Sequence, residues 1–167
     1  MALLLLMNIK ENPEQYYKDF STSSIKNDIA NALSEYPYDG DDARLVKFTA
    51  RENFNYHGHP ILTRHIIFNL LKNAIYYIKS AGKGHIEIEL HSNSDNNQIV
   101  FTDTGLGIAK DKLGKVFSRY YSEREEGTGL GLAFCKLIME SYGGDIECES
   151  LEGEYTRFIL TFPKIQA

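Results

Sequence analysis

Phe101-Thr102-Asp103-Thr104-Gly105-Leu106-Gly107-Ile108 (FTDTGLGI) closes a hydrophobic run on a carboxylate and sets glycines three and five residues after Thr102. The preceding Gln98-Ile99-Val100-Phe101-Thr102 reads as a strand delivered from a polar turn at 92–97, so Asp103 falls at a strand end. Glycine takes positive φ without strain and lets backbone approach a ligand closely, which fits a hinge or a phosphate-lined loop. An ordinary strand-to-helix turn capped by the aspartate has the same local signature. The flanking sequence has to decide between the two.

On the N-terminal side, His85-Ile86-Glu87-Ile88-Glu89-Leu90 alternates strictly, and with the strand ending at Asp103 it forms an antiparallel pair with one wet face. Before it, PILTRHIIFNLLKNAIYYIKS, residues 60–80, opens on proline and is stopped by Gly82 and Gly84, the pattern of a long helix. Ile67, Leu70, Leu71, Ala74 and Ile78 form its core face. His65, Asn69, Asn73 and Tyr77 follow one another at intervals of four, a polar line that drifts about 40° per step along the margin of that face. The two carboxamides therefore direct their oxygens into one small volume. Such neutral, hard ligands suit Mg²⁺ when phosphates complete its shell, whereas carboxylates there would repel a triphosphate. Two amides that merely satisfy nearby backbone or water would look the same in sequence.

Beyond Ile108 comes a glycine-dense stretch that ends in GTGLGL, residues 127–132, with Thr128 as a candidate cap for the helix LAFCKLIMESY. The open backbone N–H groups and positive end of such a helix receive phosphate well. The spacing is neither the dinucleotide GxGxxG nor a GxxxxGK[ST] P-loop. Residues 110–126 are polar and charged but carry Val116-Phe117 and Tyr120-Tyr121, as a mobile cover with aromatic anchors would, and Arg119 among them is a natural partner for an outer phosphate. A hairpin of 145–150 and 156–162 closes the chain. Near the start, Ser23 or Ser24 caps a helix to about Glu35, and two short strands are expected at 44–49 and 53–56. Strands and helices mix without strict alternation, so the fold class is a two-layer α/β (α+β) sandwich: a mixed, largely antiparallel sheet covered on one face by helices.

Bulk properties agree with a soluble globular unit and exclude little else. The 167 residues are 43% hydrophobic and 25% charged, enough for one domain with a real core. A net charge of −5 gives no electrostatic support to nucleic-acid binding. Cys135 and Cys148 match neither a zinc pattern nor a disulfide framework and read as two buried reduced thiols. The apolar start MALLLLMNIK is too short to span a bilayer and reads as the end of a longer helix, so no membrane contact is expected of this segment.

Taken in order, NLLKNAIYY, DTGLGI, KVFSRYYS and GTGLGLAFCKLIMESYGGDIECES resemble the N, G1, F and G2 boxes of the GHKL ATP-binding superfamily, and specifically the catalytic and ATP-binding domain of sensor histidine kinases. The resemblance spans residues 20–163. It implies that 1–19 are the end of a dimerisation helix with its linker, that 20–163 are the ATP-binding catalytic domain, and that 164–167 are a tail. It implies ATP and Mg²⁺ as cofactors, with Asp103 accepting the adenine amino group, Gly105, Gly107 and Ile108 shaping the base pocket, and Tyr77 packing near it. Asn73 with Asn69 would hold the metal; Gly127, Thr128, Gly129, Leu130 and Gly131 would cradle the phosphates; Phe117 would anchor the lid; Arg119 would reach the γ-phosphate. Catalytic roles fall to Arg119 and Asn69.

Two departures stand out. Tyr76 replaces a basic residue that touches phosphate in many relatives, and Lys72 an acidic one, so the cation that supplements Arg119 is open, with Lys115 as a candidate. None of the five histidines lies in a helical His-Glu or His-Asp setting before the domain. The implied partners are therefore a dimerisation and phosphoacceptor helical domain of the same parent and, downstream, a receiver domain or response regulator. The implied location is a cytoplasmic domain, an inner-membrane sensor being one form the parent can take. HIIFNLLKNAIYYI resembles hybrid sensor kinases of quorum sensing. Alternatives are a free-standing serine kinase of the anti-sigma-factor type, separable by phosphoserine on a protein substrate, and a nucleotide-binding module without transfer activity.

Overall fold

The computed structural model describes residues 17–166, so the readings of 1–16 as a helix end and linker lie outside the described residues. In chain order the elements are β1 (Ser21–Ser24), α1 (Ile25–Glu35), a 3-10 turn (Asp42–Leu45), β2 (Val46–Thr49), β3 (Asn55–Gly58), α2 (Pro60–Ala81), β4 (Ile86–Ser92) and β5 (Asn96–Asp103). A second 3-10 turn (Leu113–Lys115), α3 (Gly131–Ser141), β6 (Asp145–Leu151) and β7 (Tyr155–Pro163) complete them.

The main sheet runs β2-β4-β5-β7-β6, with β2 and β4 parallel and every other neighbour antiparallel. Register puts Ile88 opposite Phe101, Phe101 opposite Phe158, and Leu160 opposite both Ile99 and Ile146. These side chains form one continuous buried face against the helices, while Glu87, Glu89, Glu147 and Glu149 alternate with them toward water. The mixed, helix-covered sheet is the one expected.

α2 matches its predicted span within a residue. Pro60 occupies its first turn, the His59 side chain accepts from the Ile61 N–H at 3.2 Å, and Gly82 ends it at φ +66°. Its buried side holds the five expected residues together with Leu62, Thr63, Ile66 and Ile75, each large apolar member contributing about 1.5–3 kcal/mol by burial.

Three local expectations need correction. Residues 44 and 45, expected to open a strand, belong to a 3-10 turn instead, because the acidic run closes on itself: Asp42 N–H donates to the Asp39 carbonyl and Arg44 N–H to that of Asp41. Ser24 stands at the N-cap of α1 without a capping bond; Asn53 Oδ1, from across the chain, accepts from the Lys26 N–H at 3.1 Å instead. Ser21–Ser24 pairs with Asn55–Gly58 as a separate two-stranded ribbon, which local pattern did not disclose.

That ribbon is tied to the helices by a buried polar network. Tyr56 Oη donates to Asp28 Oδ2 or Thr63 Oγ1, each at 2.8 Å. Tyr142 Oη lies 3.0 Å from Thr63 Oγ1 and donates to the His59 carbonyl at 3.0 Å. Burial pushes the Tyr142 phenol up to about 12, so it acts as a permanent neutral donor. Both cysteines are free thiols, as expected, with Cys135 buried and Cys148 half-buried.

Candidate functional site

A cleft of about 890 Å³, counting its open mouth, lies between α2, the N-terminus of α3, the Asp103 end of the sheet and the 110–130 loop. α2 contributes Asn69, Asn73 and Tyr77; the turn after β5 contributes Gly107 and Ile108; β7 contributes Thr156 and Phe158. Gly127, Thr128, Gly129 and Gly131 line the far wall.

At the sheet end, β5 and β7 pair Asp103 with Thr156, so the carboxyl sits beside a wall residue, 3% exposed, without itself lining the cleft. Its one hydrogen bond among the described residues is accepted from the Gly105 N–H at 3.1 Å. Burial pushes the Asp103 carboxyl up to about 6, partly countered by that donor. Acceptor capacity is therefore left over in an apolar surround, the setting in which a ligand N–H has high value. The turn stays narrow because Gly107 has φ +66° and a Cβ there would stand 2.2 Å from the Leu151 carbonyl oxygen.

Both carboxamides line the cleft. Asn69 Nδ2 donates to the His65 carbonyl one turn back at 2.9 Å, which fixes the amide and leaves Oδ1 toward α3. Gly131 meets it there: a Cβ at 131 would be 2.7 Å from Asn69 Oδ1, so a side chain at the helix start would displace that amide. Asn73 Oδ1 accepts a long bond, 3.4 Å, from Arg124 Nη1. Tyr77 is half-buried, and its phenol is pushed up by burial and by the Glu123 charge. His65 lies half-buried between Phe68 and Phe134, a packed histidine rather than part of the cleft.

Residues 110–130 cover the open side. Val116 is buried, and Phe117 sits edge-on to Phe158 at 6.2 Å with Lys136 Nζ 5.6 Å from its ring centroid, which roots the loop on the sheet. Tyr120 takes φ +63° and its N–H donates to the Gly129 carbonyl at 2.9 Å. The chain reverses there, so Arg119 and Tyr120 face solvent while Tyr121, Glu123 and Arg124 face the cleft. Lys112 pairs with Glu123 at 2.5 Å and joins the two limbs of the loop. Thr128 lies in the cleft wall but does not cap α3: the N-cap position belongs to Leu130, whose N–H reaches Thr128 Oγ1 only at 3.4 Å.

Of the expected site residues, Asn69, Asn73, Tyr77, Gly107, Ile108, Gly127, Thr128, Gly129 and Gly131 share the cleft wall. Asp103, Gly105, Phe117 and Leu130 stand behind it as support. Arg119 and Lys115 are exposed and off the cleft, whereas Lys72 and Arg124 are the basic residues on its wall. Lys72 was legible from helical spacing, one residue before Asn73. Arg124, Thr156 and Phe158 carried no sequence signal, because a loop and a partner strand bring them in.

Residues 58–166 match the sequence profile of a family described as Histidine kinase-, DNA gyrase B-, and HSP90-like ATPase. The chain is 37% identical over 163 residues to the CAI-1 autoinducer sensor kinase/phosphatase CqsS of Vibrio cholerae, covering 96% of this chain and 23% of that protein. It is 31% identical over 164 residues to the autoinducer 1 sensor kinase/phosphatase LuxN of Vibrio campbellii, covering 97% of this chain and 19% of that one. The chain thus spans less than a quarter of the length of these curated relatives. Among solved structures, the catalytic domain of histidine kinase ThkA superposes with a TM-score of 0.72 at 24% identity, over 87% of this chain and 95% of that one. The mycobacterial sensor histidine kinase MprB gives 0.71 at 20%, over 86% and 97%. At these identities the likeness is one of fold.

Proposed function

The chain belongs to the histidine kinase-, DNA gyrase B- and HSP90-like ATPase family, and from that premise we propose that it is the ATP-binding catalytic domain of a sensor histidine kinase. In its parent it hands the γ-phosphoryl group of Mg-ATP to a histidine on a separate helical domain, from which a receiver domain takes it. One observation supports the reading: a pair of amides and the glycine-lined start of a helix share one cleft, with a buried acceptor, Asp103, behind its wall beside Thr156.

Asp103 accepts from the exocyclic amino group of adenine, while Tyr77 and Ile108 bound the base. The N–H groups at 127–131 and the positive end of α3 take the phosphates. Metal fit rests on the donor set. The Asn69 and Asn73 oxygens are neutral, and no cluster of three or more His, Cys, Asp or Glu suited to a metal occurs among the described residues. These two amides would hold Mg²⁺ only together with phosphate oxygens. When bound, the metal supplies charge neutralisation at the phosphates. This chain's residues supply position: the Asn69 amide held by the His65 carbonyl, the α3 terminus held by Gly131, and the loop rooted by Phe117 to keep water out. No described helix is long and apolar enough to cross a membrane.

Calorimetric titration with a non-hydrolysable ATP analogue and Mg²⁺ tests the binding half; absence of heat with the folded protein ends the proposal. For the transfer half, mixing with a histidine-bearing helical domain of the parent should give acid-labile phosphate on that domain. Phosphoserine, or ATP hydrolysis with no phosphoprotein, would count against it.

A further inference from the structure

The turn that follows Asp103 is gripped from two sides. On one side lies α2: a Cβ at Gly105 would stand 3.0 Å from the Ile78 nitrogen and from the Tyr77 carbonyl carbon, so the turn rests directly on the helix backbone. On the other lies the tip of the β6–β7 hairpin, residues 150–153. The Gly153 N–H donates to the Leu106 carbonyl at 2.6 Å, a Cβ at Gly107 would be 2.2 Å from the Leu151 carbonyl oxygen, and the Ile108 N–H donates to Ser150 Oγ at 2.7 Å. Lys83, just beyond α2, moors the tip in turn: its Nζ donates to the Gly153 carbonyl at 2.7 Å.

Of the hairpin's contacts with the turn, the one at Ile108 comes from a side chain. Ser150 Oγ donates its single proton to the Tyr155 carbonyl at 2.5 Å, across the hairpin. Its lone pairs are left to accept, from the Ile108 N–H and, at 3.3 Å, from the Thr156 hydroxyl. One half-buried oxygen therefore joins the turn, β6 and β7. No carbonyl among the described residues accepts from the Ile108 N–H, so this hydroxyl is what satisfies it. Ile108 and Thr156 both line the cleft, and Thr156 is the register partner of Asp103.

We propose that Ser150 is a positioning residue for the base-binding end of the cleft: its hydroxyl fixes the 104–108 turn against the hairpin and so sets where Ile108 and the Asp103 carboxyl meet the base. This rests on the reading of the cleft as a nucleotide site. Ser150 acts without touching the ligand. The glycine contacts only limit how closely the turn can approach its neighbours, and the Gly153 bond holds its outer end. The inner end, at 107–108, depends on Ser150. The Gly105 N–H that Asp103 accepts belongs to the same short turn, so a turn that lifts at Ile108 also disturbs the bond that orients the carboxyl.

The test compares wild type, Ser150→Ala and Ser150→Thr by amide hydrogen exchange without nucleotide and by titration with Mg-ADP and Mg-ATP. Ser150→Ala should speed exchange at Ile108 by about tenfold or more while the amides of α2 and β4 stay within about twofold. It should weaken ADP and ATP by the same factor, about three- to tenfold, because the base end is common to both. Ser150→Thr, which keeps the hydroxyl, should bring exchange and both affinities back to within about twofold of wild type. Wild-type nucleotide affinities in Ser150→Ala, a loss that grows from ADP to ATP, exchange that speeds throughout α2 and β4, or a Ser150→Thr protein no better than Ser150→Ala each overturn the assignment. Wild-type protein that binds neither nucleotide defeats the reading of the cleft itself, and the proposal with it.

Discussion

Asp103→Asn is expected to stabilise the nucleotide-free protein at neutral pH while weakening its grip on adenine nucleotides. Burial lifts this carboxyl from the ordinary 3.8 to about 6, and the single Gly105 N–H offsets only part of the rise. At about 1.4 kcal/mol for each tenfold change in acidity, carrying the charge in the native state costs about 3 kcal/mol. The native carboxyl holds its proton more tightly than the unfolded one. Its favourable contribution is therefore complete below about pH 4 and is lost as pH rises through about 6. Asparagine has no charge to bury and keeps an oxygen for the Gly105 N–H. The melting-temperature gap between variant and wild type should widen in the variant's favour by about 6–12 °C from pH 4 to pH 7.5, at roughly 2–4 °C per kcal/mol for a domain of this size. Scanning calorimetry without nucleotide at pH 4, 6 and 7.5 reads this directly, and the half-buried His65 cancels because both proteins share it. A gap that stays constant, or that narrows as pH rises, refutes the reasoning, since the buried carboxylate would then not be its source.

Nucleotide binding should carry the same titration in reverse: a donor that needs the ionised Asp103 makes wild-type ADP affinity rise by about tenfold between pH 5 and pH 7.5 relative to that of Asp103→Asn. Parallel pH profiles of the two proteins would exclude that contact. Gly131→Ala should push Asn69 Oδ1 aside, given the 2.7 Å approach, and reduce Mg-dependent nucleotide binding by about tenfold or more with a melting temperature within about 3 °C of wild type. Gly107→Ala combines a φ of +66° with a Cβ 2.2 Å from a backbone oxygen, so a loss of about 2 kcal/mol or more in denaturant unfolding is expected. Tyr142→Phe strips Thr63 and the His59 carbonyl of a buried partner and should cost about 1–3 kcal/mol by the same assay, leaving nucleotide affinity unchanged.

Much of this protein was readable before any coordinate. A face that must be buried repeats with the period of its element, so the core of α2, the polar line through Asn69 and Asn73, and the alternation of β4 and β5 are inscribed in spacing alone. Glycine clusters marked the turn after Asp103 and the start of α3 because close backbone approach excludes side chains.

What depended on tertiary structure has no period. Arg119 and Arg124 are five residues apart in one irregular loop, and composition cannot tell which faces the cleft; the reversal at Tyr120, pinned by the Gly129 carbonyl, decides it. Thr156 reaches the site because β7 pairs with β5 in one register, a choice made by two buried faces together. The elevated pKa of Asp103 exists only once sheet and helix have excluded water from around it. Spacing within an element encodes which residues are buried together, whereas the reach of a loop and the desolvation of a charge arise only when distant segments close on each other.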